Sequence, residues 1–100
     1  MPSQIQISTP FLRTFVHDDV SIGTSISEVL PALENYKKRI IVIIQNKSED
    51  ATIEVILSAT DTVGIEVPPK GNLSVDNYNG SVRIVASGAS TLVHVAYSEV

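Results

Sequence analysis

Lys37-Lys38-Arg39-Ile40-Ile41-Val42-Ile43-Ile44-Gln45-Asn46-Lys47 is the stretch whose reading sets the fold class of this chain. Residues 40–44 are an unbroken run of branched aliphatics between a basic triplet and a polar turn. Such side chains are stiff at χ1 and suit a pleated surface better than a helix. The run is short and contains neither Gly nor Pro, so it reads as a strand buried on both faces. Asn46-Lys47-Ser48-Glu49-Asp50, which follows, has turn composition.

Towards the C-terminus the theme repeats in weaker form. Residues 52–57, 63–67, 73–75, 81–86 and 91–97 are apolar or alternating segments, each bounded by turn residues. Pro68-Pro69-Lys70-Gly71 completes a tight turn, and Asn79-Gly80 carries a hairpin signal. Residues 81–86 and 91–97 read as a closing pair joined through Ser87-Gly88-Ala89-Ser90.

Towards the N-terminus, residues 11–16 read as a strand, His17-Asp18-Asp19 as a turn, and residues 20–26 as a second strand interrupted at Gly23. Residues 24–36 pull two ways. Ser25-Ile26-Ser27-Glu28 fits a capping box, and Ile26, Val29, Leu30 and Leu33 have helical spacing. Pro31 falls inside that helix, where it removes a hydrogen bond and biases Leu30 towards extended geometry. An extended segment to Leu30, then a turn or a single helical turn over residues 31–35, is the expectation. Residues 1–10 alternate Ile5 and Ile7 with polar neighbours and stop at Pro10, as an N-terminal arm would. The whole predicts an all-β, antiparallel β-sandwich, jelly-roll-like, of seven or eight short strands, with residues 11–100 forming one domain.

Bulk composition agrees. The chain has 100 residues, 43% hydrophobic and 18% charged, with five aromatics and no Trp, so Ile, Val and Leu must fill the core. A mean hydropathy of +0.19 and the low charge fraction leave more apolar surface than one small core hides, which points to self-association or a partner. The net charge of −4 gives no electrostatic footprint for nucleic acid or an anionic membrane. With no cysteine, disulfides and thiolate metal sites are excluded. Met1-Pro2-Ser3-Gln4 does not begin a signal peptide, and no apolar run approaches a membrane span, so a soluble protein made in the cytoplasm of the cell that expresses it is expected.

Residues able to carry chemistry are few. His17-Asp18-Asp19 is the place where His and carboxylates adjoin, and neighbouring turn residues seldom converge on one ion without ligands from elsewhere. His94 reads as a hydrogen-bonded histidine on a half-buried strand face. The sharper alternative puts it at a subunit contact, where it would make assembly respond to pH. No Gly-x-Ser-x-Gly elbow and no glycine-rich phosphate loop occurs. Glu54 and Glu66 read as outward solubility residues. Lys37-Lys38-Arg39 reads as basic gatekeepers beside an aggregation-prone strand rather than a nucleic-acid patch. The sequons at Asn46, Asn72 and Asn79 read as turn asparagines. No catalytic, metal or cofactor residue is assigned.

Four segments together carry a resemblance. They are Arg39-Ile-Ile-Val-Ile-Ile-Gln-Asn46, Gly64-Ile-Glu-Val-Pro-Pro-Lys-Gly71, Gly80-Ser-Val-Arg-Ile-Val-Ala86 and Val93-His-Val-Ala-Tyr97. In this order, over residues 20–100, the chain resembles small β-sandwich virion proteins of bacteriophages: vertex (penton), decoration or neck-associated domains. The resemblance implies a non-enzymatic capsid protein of the virion that assembles as a trimer or pentamer and meets other capsid proteins. Residues 1–10 lie outside it and are expected to anchor the domain to the shell. Ile5, Ile7, Phe11 and Phe15 are the expected subunit contacts. The rival expectation is a carbohydrate- or receptor-binding module of a fibre or spike, with Tyr78 as its ligand contact.

Overall fold

The computed structural model describes residues 15–34 and 38–99. Among them lie eight strands: β1 (Val16–Ile22), β2 (Ser27–Leu30), β3 (Arg39–Asn46), β4 (Ile53–Ile56), β5 (Ile65–Val67), β6 (Asn72–Asp76), β7 (Val82–Ala86) and β8 (Thr91–Glu99). They form two antiparallel four-stranded sheets, ordered β1-β8-β3-β6 and β2-β7-β4-β5. No α-helix occurs among the described residues.

Alternation explains how the sheets meet. In β3, Val42 and Ile44 are fully buried, while Ile41 and Ile43 on the opposite face are half-buried and Gln45 is exposed. Val93 and Val95 of β8 share the inward face with them, and Ile53, Val55, Val82, Ile84 and Ala86 come from the second sheet. One apolar cluster thus joins both sheets, an arrangement consistent with a β-sandwich. Fully burying each of these Val and Ile side chains stabilises the fold by about 1.5–3 kcal/mol relative to exposure.

The aliphatic run therefore has one buried face and one half-covered face, not two buried faces. Its flanks are buried instead. Arg39 is 1% exposed and ties three segments together: its backbone N–H donates to Asn79 Oδ1 at 2.8 Å, Nη1 to the Gly80 carbonyl at 2.8 Å, and Nη2 to the Pro31 carbonyl. Its guanidinium carbon also lies 5.8 Å from the Tyr97 ring centroid. The gatekeeper reading thus fails for Arg39, though Lys38 is exposed.

Several local expectations change. His17-Asp18-Asp19 is not a turn but the middle of β1, which takes seven register pairs from β8. Residues 20–26 are not a separate strand: Val20 to Ile22 complete β1, and β2 begins at Ser27. Strand β2 ends at Leu30 before Pro31, as the proline predicts, and residues 31–34 have no regular structure. Residues 81–86 and 91–97 do not pair with each other, because β7 and β8 belong to different sheets. Nor does Asn79-Gly80 close a hairpin, since β6 and β7 also lie in different sheets and the positive φ (57°) falls on Asn77. The expected arm at residues 1–10, and with it Ile5, Ile7 and Phe11, lies outside the described residues.

Strands β4 and β5 make a hairpin within the second sheet, and its connection runs over the sheet's outer face. Arg83 donates from Nε to the Ser58 carbonyl at 2.7 Å and from Nη2 to the Asp61 carbonyl. The loop returns at Gly64, whose N–H donates to Glu54 Oε2 at 2.8 Å. A Cβ at Gly64 would sit 2.1 Å from the Val55 carbonyl oxygen, so only glycine allows this approach.

Candidate functional site

The outer face of the first sheet gathers the chain's two histidines. In β1, His17 and Asp19 are two residues apart and so point the same way. Across the ladder, Asp19 stands opposite His94 of β8, and His17 stands two pairs further along, opposite Ala96. The core-facing residues of β8 are Val93 and Val95, which leaves His94 outward. The sheet therefore fixes a row that local sequence separates by more than seventy residues.

Its geometry is a chain of close contacts. His94 Nδ1 lies 2.5 Å from Asp19 Oδ1, and His94 Nε2 lies 2.9 Å from His17 Nδ1. The two imidazoles meet edge to edge, with centroids 5.1 Å apart and planes inclined by 29°. Lys47 Nζ is 3.7 Å from Asp19 Oδ2. The Phe15 ring centroid lies 6.0 Å from that of His17 and closes one end of the row. His94 keeps 27% of its side chain exposed and Asp19 48%, so the row is open to solvent.

Chemistry follows from these distances. A carboxylate accepts only, so His94 Nδ1 carries the proton that faces Asp19. In the neutral ring, Nε2 is then bare and accepts from His17 Nδ1–H. The hydrogen bond to His94 is the main cause that holds the Asp19 carboxyl below its ordinary value of 3.8; burial opposes it and Lys47 reinforces it. The result is an oriented pair of imidazole nitrogens on a stiff sheet, backed by an ionised carboxylate. Among the described residues, no three His, Asp or Glu side chains gather as a metal-holding group.

Local sequence reads His17 and Asp19 as turn residues and His94 as a hydrogen-bonded strand histidine; the structure brings all three together. The signal that locates them is the polar alternation His17, Asp19, Ser21 against Val16, Val20 and Ile22, which Asp18 interrupts. Lys47 has the turn composition of its neighbours in sequence, yet its N–H donates to the Leu92 carbonyl at 3.0 Å, which prolongs the β3–β8 ladder and brings its side chain to the row.

The other candidates fall elsewhere. Phe15 is 37% exposed and Val16 47%, so the start of β1 presents apolar surface. Tyr78 packs against the core cluster and donates its hydroxyl to the Ser81 carbonyl at 2.7 Å. Burial raises its pKa above the ordinary 10.0. Glu54 and Glu66 stand directly opposite each other on β4 and β5, and Glu54 is engaged by the Gly64 N–H. Asn46 is fully buried, which rules out its sequon as an acceptor. Its Nδ2 donates to the carbonyls of Ala51, Val67 and Pro68 at 2.8, 3.2 and 3.1 Å, fastening the β3–β4 turn to the β5–β6 turn.

No protein-family profile matches this chain, and no curated protein matches it in sequence.

Proposed function

We propose that this chain is a non-enzymatic structural component of a virion, a capsid vertex (penton) or decoration protein that assembles with copies of itself as a trimer or pentamer. The observation that supports it best is the order of the strands. Every connection but β4–β5 passes from one sheet to the other, giving β1-β8-β3-β6 against β2-β7-β4-β5. We read this order as an eight-stranded jelly roll, an architecture used by viral capsid and lectin domains. A fold hosts many functions, so the strand-and-turn resemblance over residues 39–46, 64–71, 80–86 and 93–97 is what favours capsid over lectin.

Exposed apolar side chains supply the driving term for association. Phe15, Val16, Val63, Ile65 and Leu92 are 37 to 73% exposed. Each Å² of such surface removed from water contributes about 25 cal/mol, and a stable contact removes about 800 Å² per partner. Sugar-binding platforms need exposed aromatic faces, whereas Tyr78, the expected ligand contact, packs against the core. The carbohydrate-binding rival therefore draws less support.

Native mass spectrometry of the purified chain, with co-sedimentation against virus particles, tests the reading. A trimer or pentamer that sediments with particles is expected. A chain that stays monomeric at high concentration and never travels with particles overturns it.

A further inference from the structure

We infer that the row Asp19–His94–His17 is an acid-operated latch, which fastens the start of strand β1 to β8 and releases His17 once both imidazoles are charged. Strand β1 lies at the edge of the first sheet and has β8 as its one neighbour there. Its two ends are held differently. Ile22 is 2% exposed and Val20 packs against the core cluster, whereas residues 16–19 are all exposed. Among the described residues, the hydrogen-bond and ionic side-chain ties of that exposed half to the rest of the sheet run through the row: His17 to His94, Asp19 to His94, and Asp19 to Lys47. The latch is independent of the assembly reading above.

The contact between the rings has room for one proton. His94 Nδ1–H donates to Asp19 at 2.5 Å, which leaves His94 Nε2 bare to accept from His17 Nδ1–H at 2.9 Å. A first added proton leaves the row intact, because it settles on the other His17 nitrogen, Nε2, and both hydrogen bonds survive. A second has His94 Nε2 as its place in the row. Two N–H groups then face each other across 2.9 Å, each on a charged ring, and the contact breaks.

Neighbouring charges decide which ring leaves. The Asp19 carboxyl is held below its ordinary value, chiefly by the His94 hydrogen bond, so it stays ionised in mild acid and pairs with a charged His94. His17 has no such partner: among the described residues no carboxylate lies within ion-pair distance of it, and Asp18 points to the other face of β1. The remaining neighbours supply no negative charge. Gln45, opposite His94 on β3, and the outward β8 residues Leu92 and Ala96 are uncharged, while Lys47 adds positive charge 3.7 Å from Asp19. His17 is therefore the ring expelled. Its departure opens Ala96, the cross-strand partner that is only 3% exposed, and frees the Phe15 ring whose centroid lies 6.0 Å from its own.

Amide hydrogen exchange and imidazole nitrogen NMR of the full chain, from about pH 8 to about pH 5 where histidines ordinarily titrate, test the latch. At the upper end both rings should appear as Nδ1–H tautomers. At the lower end the ladder-bonded amides of residues 16–18 should lose about 2–10-fold in protection, measured against intrinsic exchange at each pH, which is the worth of one hydrogen bond. Those of residues 20–22 should keep theirs. His17→Gln and His94→Gln should each abolish the pH-dependent loss, because an amide carries no charge at either pH, and circular dichroism checks that both variants fold. The tautomers and the exchange pattern of the wild type need no variant. Nε2–H tautomers at high pH, no loss of protection in acid, an equal loss along all of β1, or an undiminished loss in a folded His17→Gln chain would each overturn the latch.

Discussion

Asn46→Asp replaces one nitrogen with oxygen in a side chain that is 0% exposed, and it tests how the two turns are joined. The amide donates to three carbonyl oxygens at 2.8, 3.2 and 3.1 Å and accepts from Ser48 N–H at 3.0 Å. The two N–H groups, shared among those three carbonyls, and the bond accepted from Ser48 contribute about 0.5–1.5 kcal/mol net each, so Asn46→Ala should cost about 2–4 kcal/mol. The carboxylate does more harm, because it aims negative charge at three acceptors with no cation to offset it. A penalty of at least about 4 kcal/mol is expected at neutral pH, against a total stability of about 5–15 kcal/mol for a domain this size. Since the charged form is the disfavoured one, the introduced carboxyl titrates in the folded state above its unfolded value of about 3.9. The penalty is therefore full above the folded pKa and shrinks as pH falls through it towards the unfolded value. Urea unfolding followed by far-ultraviolet circular dichroism, with wild type and both variants at about pH 7 and about pH 4.5, measures all of this. The reasoning fails if Asn46→Asp lies within about 1 kcal/mol of wild type, if it is no worse than Asn46→Ala at neutral pH, or if acid does not narrow the gap.

Two further outcomes follow from local geometry. Lys70 has φ 65° at the third position of the turn in which Gly71 N–H donates to the Pro68 carbonyl at 2.9 Å, a place where glycine is unstrained. Lys70→Gly should raise stability by about 0.5–1 kcal/mol despite the extra freedom it gives the unfolded chain; a lower unfolding midpoint would count against the turn assignment. Asp19 has a folded pKa held below 3.8, chiefly by its hydrogen bond to His94, so its contribution is present above that value and is lost as pH falls through the folded one. Comparing Asp19→Asn with wild type by denaturant midpoint should show a gap at about pH 5 that narrows in acid, as pH falls through the lowered folded value. An identical gap in acid would mean the carboxylate plays no part.

Strand existence from residue 39 onward was readable because burial on one sheet face writes itself into local alternation, and Gly, Pro, Asn and Ser mark the turns. The observed strands β3 to β8 all overlap the segments so identified. The N-terminal side was harder. His17, Asp18 and Asp19 have turn composition, and their extended state comes from β8 supplying main-chain partners at every position of β1. Burial of Arg39 and Asn46 was equally hidden, since nothing local says that Pro31 and Gly80, or Ala51, Val67 and Pro68, will point carbonyls at them.

By itself, then, the sequence determined an all-β chain with an aliphatic core and the places where most strands stop, all of them consequences of short-range patterning. Tertiary structure alone decided which strands are neighbours, and hence that β7 and β8 part into different sheets and that His94 meets both Asp19 and His17. The physical reason is range. Side-chain alternation and turn propensity act over a few residues, whereas strand partnership is settled by how two sheets can together bury the same aliphatic faces.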